Sequence, residues 1–198
     1  MPWTAGILLF EDVEELDVAG PWEVLAMARR DGDRVVTIAE AGGGAVVRCS
    51  KGLRLMADHG FGDHPPLDVL VVPGGAGTRR EETNEAVLGW IRDVDQSTTW
   101  TTSVCTGSLL LAAAGPAAGR RVTTHVGFVE QLRGRAVAGE VVDGPRWVVD
   151  GKVVTAAGVS AGIDMALWLV GRLAGVAHAR WTQRAIQYDP APPYQADV

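Results

Sequence analysis

Two apolar runs in this chain, Ile7 to Phe10 and Val69 to Val72, are continuous rather than alternating. A strand covered on both faces reads this way, because neither side of its pleat meets water. With their flanks they predict strands at 4–10 and 68–73, and similar runs predict strands at 34–39, 98–104, 146–149 and 152–156. Between them, helix-like stretches cover 17–30, 84–95, 107–114 and 160–173. This alternation predicts an α/β fold, a mostly parallel central sheet with helices on both sides. Residues 137–157 break the rhythm. They read as three strands separated by turns at Asp143-Gly144-Pro145 and Asp150-Gly151, a small antiparallel appendage to the main sheet. In such folds ligands bind beyond the carboxyl ends of the central strands, at a topological switch point.

Composition adds limits. At 198 residues, 47% hydrophobic and 21% charged, the chain fits one domain over 1–188, followed by a proline-rich tail at 189–198. A chain this long buries roughly 70% of its unfolded surface and needs no covalent staples. Its two cysteines, Cys49 and Cys105, form neither a disulfide framework nor a Cys-x-x-Cys pair. A net charge of −6 argues against binding nucleic acid unaided and favours a small-molecule partner. No stretch approaches the ~18 consecutive apolar residues of a membrane span, so the expectation is a cytoplasmic protein.

The strongest chemical signal is Thr101-Thr-Ser-Val-Cys-Thr-Gly-Ser-Leu-Leu-Leu. A strand runs into Cys105 and a helix begins within two residues, the pattern of a nucleophile elbow. Such a turn strains its apex and demands small residues two before and two after it, where Ser103 and Gly107 stand. The sulfur would then sit over a helix N-terminus, whose partial positive charge favours a thiolate. The competing reading is a small buried apolar residue, the usual state of a free cysteine and the reading that suits Cys49.

Three further segments gather around this one. Val71-Val-Pro-Gly-Gly-Ala-Gly77 is a strand end passing into a glycine loop, with Gly75 and Ala76 the candidate substrate-binding positions. Its amides, together with that of Thr106, could form an oxyanion-type donor set; the alternative is a plain tight turn. No Lys-Ser/Thr follows the glycines, so a phosphate loop is excluded. Asp17 opens the first helix. Local sequence favours a helix cap, and the alternative is a carboxyl aimed into the crevice beside Cys105. Two anions so close would share one negative charge, a neutral Asp17 donating to a thiolate. His125, after Arg121-Val-Thr-Thr, is either a partner for Cys105 or a structural residue. The remaining histidines show no metal-ligand spacing, so no metal site is expected.

These residues together resemble the ThiJ/PfpI superfamily, relatives of the class I glutamine amidotransferase domain, and within it the isocyanide hydratases. The matching segments include Leu16-Asp-Val-Ala-Gly-Pro, Ser103-Val-Cys-Thr-Gly-Ser-Leu, Thr123-Thr-His, Val159-Ser-Ala-Gly-Ile-Asp and Tyr188-Asp-Pro-Ala-Pro-Pro-Tyr. The resemblance implies a flavodoxin-like three-layer sandwich and a homodimer that hydrates isocyanides to N-substituted formamides without a cofactor. It makes Cys105 the nucleophile, Asp17 the acid/base, Thr106 a hydrogen-bonding neighbour and Val159 a residue lining the pocket. In that chemistry the thiolate adds to the isocyanide carbon once the nitrogen end is protonated or polarised, and Asp17 then activates the water that releases the formamide.

The family's usual Trp after Thr-Thr-His is Val126 here, and the extra C-terminal helix expected after the Ala-Pro-Pro-Tyr segment is not seen. Two competing functions share the fold: the ligand-sensing half of AraC-type regulators, and a glyoxalase or deglycase attacking a carbonyl with the same thiol. Asp17 and Thr106 argue against the second, because those members typically carry Glu at the first-helix position.

Overall fold

The computed structural model describes residues 2–189. In chain order the elements are β1 (Thr4–Leu9), α1 (Glu15–Ala28), β2 (Arg34–Ala39), β3 (Val46–Arg48), β4 (Arg54–Met56), β5 (Val69–Val72), α2 (Thr78–Glu81) and α3 (Glu85–Ser97). They continue as β6 (Trp100–Val104), α4 (Gly107–Ala114), β7 (Arg121–Val122), α5 (Val129–Gly134), β8 (Glu140–Val141), β9 (Trp147–Asp150), β10 (Val153–Ala156), α6 (Ala161–Ala174) and α7 (Val176–Ala185).

The central sheet has six strands in the order β2-β1-β5-β6-β10-β9. All its neighbours pair in parallel except β9, which runs antiparallel to β10 at one edge. Counting only the parallel strands, the order is second, first, third, fourth, fifth, the flavodoxin-like winding whose switch point lies between β1 and β5. The continuous apolar runs sit at its centre. Ile7, Leu8 and Leu9 of β1 and all four residues of β5 are buried, and each such large side chain contributes about 1.5–3 kcal/mol relative to exposure. Helices α1, α6 and α7 pack together on one face, and α3 with α4 on the other, giving the three layers.

The expected appendage at 137–157 resolves differently. β10 is a core strand, its register with β6 running from Val153↔Thr101 to Ala156↔Val104. β9 is the sheet edge, while β8 leaves it to pair in parallel with β7. The small antiparallel sheet is instead β3 with β4, a hairpin whose three-residue strands are too short to show a period. The proline-rich tail, apart from Asp189, lies outside the described residues. Among the described residues no helix is long and apolar enough to cross a membrane.

Candidate active site

β6 ends at Val104 and α4 begins at Gly107, so Cys105 and Thr106 make the whole turn. Cys105 accordingly adopts φ +57°, a left-handed conformation that costs a side-chain-bearing residue about 1–3 kcal/mol. Its surroundings hold it there. Its amide donates to the carbonyls of Ala156 and Ala157 at 3.1 and 3.0 Å. Its carbonyl accepts the hydroxyls of Ser108 and Thr124 at 3.1 and 3.0 Å. The small residue after the apex is a steric necessity: a Cβ on Gly107 would lie 2.1 Å from the Val72 carbonyl oxygen.

Asp17 is not a cap. Helix α1 starts two residues before it, and Glu14 occupies the N-cap position with no side-chain cap bond. Asp17 is completely buried, and its Oδ2 accepts the Gly74 amide at 2.8 Å. Its Oδ1 is buried with no hydrogen-bond partner among the described residues, and the Cys105 thiol lies beside the carboxyl. Burial, reinforced by the charge of Glu14, pushes this carboxyl up from 3.8 to about 7 against the pull of the Gly74 amide. Cys105 is pushed from 9.0 to about 12, first by burial and then by the charge of Asp17. The amides of Thr106 and Val159 and the Thr106 hydroxyl oppose that rise. Pair and donors together disfavour two negative charges but accommodate one.

The glycine loop has another role than the expected one. The Gly74 amide is engaged by Asp17, and the Gly75 amide donates to Thr106 Oγ1 at 3.0 Å. The donors facing the sulfur are Thr106 and Val159. What the glycines supply is closeness, since a Cβ on Gly74 would sit 2.5 Å from the Thr106 nitrogen. Val159, a β-branched residue, is held at φ +49° between β10 and α6.

Above the thiol opens a cleft of about 240 Å³, and Gly75, Ala76, Thr106, His125 and Val159 all line it with Cys105. Asp17 lies beneath, closed off from solvent. His125 makes no hydrogen bond to Cys105 among the described residues. Its Nδ1 accepts the Gly127 amide at 3.0 Å, which serves the turn at Val126–Phe128. Four lining residues were not foreseen: Glu14, Ser50, Arg79 and Phe128. Glu14 stood one helical turn before Asp17 and was available to inspection. Ser50 comes from the β3–β4 turn, whose Oγ bonds to the Asp12 carbonyl and Ala76 amide, and no local pattern announces it. A larger cleft of about 440 Å³ at the ends of β1 and β2 is lined by Phe10, Glu40 and Glu81 among others and holds no nucleophile. Cys105 and the polar groups around it line the smaller one. No group of three or more His, Cys, Asp or Glu suited to a metal occurs among the described residues.

A flavodoxin-like sheet with a strained cysteine at a strand-to-helix elbow, over a buried carboxyl from the first helix, defines a class of α/β protein. The chain belongs to the DJ-1/PfpI family, whose model matches residues 4–172. It is 40% identical over 191 residues to the isonitrile hydratase of Pseudomonas putida, covering 96% of this chain and 81% of that protein. A ThiJ/PfpI family protein from Pseudomonas syringae superposes with a TM-score of 0.89 at 30% identity, over 98% of this chain and 78% of the other. Similarity also extends to the HTH-type transcriptional regulator GbdR of Pseudomonas aeruginosa, 29% identical over 86% of this chain and 47% of the regulator.

Proposed function

We propose that this protein hydrates isocyanides, R–N≡C + H₂O → R–NH–CHO, with Cys105 as nucleophile and Asp17 as acid/base and without a cofactor. The observation that carries the reading is the buried Asp17 carboxyl beside the Cys105 thiol, pushed up to about 7 so that it can hold a proton near neutrality. The similarity to the isonitrile hydratase supports the substrate class.

In the working state the pair bears one negative charge; this mechanism sets it on sulfur, where the Thr106 and Val159 amides work against the upward push of burial and of the Asp17 charge, with the proton on Asp17. The thiolate forms a C–S bond to the isocyanide carbon, and the Asp17 proton passes to that carbon, giving the thioimidate R–N=CH–S–Cys105. Asp17, now a carboxylate, takes a proton from water as the water oxygen adds to carbon, and nitrogen gains that proton. The C–S bond then breaks, returning the electron pair to sulfur and the hydroxyl proton to Asp17. Formamide leaves and both groups stand as they began.

The decisive assay measures formamide from an alkyl or aryl isocyanide with the wild type beside Cys105→Ala. Turnover lost in the variant is expected; equal formamide from both proteins would remove the mechanism. A ligand-sensing role is the second reading, favoured by the similarity to GbdR, and it predicts isocyanide binding by calorimetry with no product. The homodimer and cytoplasmic working place belong to the same proposal. Exposed Val46, Leu53 and Met56 on the β3–β4 hairpin offer apolar surface for a second copy, and sedimentation equilibrium tests it.

A further inference from the structure

The rim of the Cys105 cleft carries a cation for which the hydration chemistry has no use. Arg79 follows the glycine loop, and its Nη1 donates to the Gly75 carbonyl at 2.7 Å. Its guanidinium lies over the Phe128 ring, 4.5 Å from the centroid. These two contacts hold the group at the cleft, because Gly75 itself bonds to Thr106, the residue after the nucleophile. Yet no carboxylate pairs with Arg79 among the described residues. The neighbouring cations differ in this respect: Arg80 pairs with Glu81 and Asp12, and Lys51 with Glu14 and Glu15. Among the described residues Glu14 is the one acidic side chain lining the cleft, and Lys51 answers its charge. Among the described residues Arg79 thus presents Nε and Nη2 without partners, a planar fork that matches the two oxygens of a carboxylate.

The cleft's size sets the reach. About 240 Å³ is below the ~300–1,000 Å³ of sites for drug-sized ligands, so the substituent that reaches Arg79 from Cys105 is short.

We infer that the substituent on the isocyanide is anionic: the cleft takes a small isocyano carboxylate, its carboxylate on Arg79 and its isocyano carbon on Cys105. This rests on the hydratase reading for the reacting group, and on Arg79 alone for the anion. Hydration of such a substrate gives an N-formyl amino acid, ⁻OOC–CHR–N≡C + H₂O → ⁻OOC–CHR–NH–CHO.

The test uses two probe pairs. N-formylglycine and its methyl ester are titrated calorimetrically into the wild type, Arg79→Gln and Arg79→Lys, and turnover of isocyanoacetate is compared with that of methyl isocyanoacetate. The wild type is expected to favour the acid over the ester by about tenfold in both measurements, as a charge-assisted bidentate contact allows. Arg79→Gln brings that ratio to about one, and Arg79→Lys, which keeps the charge but not the fork, recovers part of it. An ester bound as well as the acid, an acid preference untouched by Arg79→Gln, or no binding of either probe overturns the proposal. Acid binding that depends on Arg79, with neither isocyanide turned over, upholds the anion site and overturns the hydratase reading instead.

Discussion

Cys49 and Cys105 are both buried, and burial pushes both thiols up, to about 11 and about 12. By exposure and thiol acidity alone the two are nearly equivalent, yet their settings are opposites. Cys49 follows the β3 strand in ordinary backbone, its amide donating to the Leu53 carbonyl at 2.8 Å. The groups that act on its sulfur are the carboxylates of Glu15, Glu11 and Glu14, all of which oppose ionisation. Cys105 stands at a left-handed apex, faces two backbone amides and a hydroxyl, and has a carboxyl beside it that keeps its proton to about pH 7. On the proposed reading, donors and a proton-sharing partner distinguish the two thiols, not how deeply each is buried.

The sharpest way to separate the two thiols is to remove each. Cys105→Ala is expected to cut formamide production to below about one thousandth of wild type, while Cys49→Ala retains turnover; a kcat assay on the folded variants reads both. Removing the partner comes next. Asp17→Asn is expected to lower kcat by about 10²–10⁴-fold. Wild-type kcat should fall as pH drops below about 7, where the pair binds its second proton, and this limb should move in the variant. The same carboxyl bears on stability. It binds its proton more tightly folded than unfolded, so its contribution is present below about pH 4 and is lost as pH rises through about 7. Denaturant titrations of Asp17→Asn should show that decline flattened.

Smaller effects probe the backbone that distinguishes the two sites. Gly107→Ala brings a methyl 2.1 Å from the Val72 carbonyl oxygen and is expected to cost about 1–3 kcal/mol of stability, read as a lower denaturation midpoint. Thr124→Val removes one of the hydroxyls on the Cys105 carbonyl and should cost about 1 kcal/mol. A Thr124→Val protein as stable as wild type would show that the strained apex needs no such clamp.

What the sequence revealed follows the range of each interaction. The elbow was legible because its requirements are local: a strand, a sulfur, and small residues two places either side. The central sheet was legible because Ile7 to Leu9 and Val69 to Val72 need cover on both faces, whatever lies around them. Asp17 was ambiguous because its partner, the Gly74 amide, is 57 positions away, and nothing nearby separates a cap from a buried carboxyl. The glycine loop was located correctly, but its amides were assigned to a substrate when Asp17 and Thr106 engage them. Residues 137–157 misled because turn signals mark where strands end but not which strand lies alongside. Helix α7 escaped notice since the segment is polar overall and only Thr182 in it is buried.

Peptide-resolved alkylation by iodoacetamide across pH shows whether Cys105 and Asp17 share one negative charge near neutrality. With the shared charge resting on sulfur, Cys105 of the wild type is expected to react with a midpoint near pH 7, where the pair loses its first proton, and not near the value of about 12 to which burial and a charged Asp17 push the thiol. Cys49 is expected to react only in strong alkali, and Cys105 of Asp17→Asn, still pushed up by burial, with its midpoint above 9.0. A wild-type Cys105 midpoint at or above 9.0, unchanged in Asp17→Asn, would contradict the shared charge.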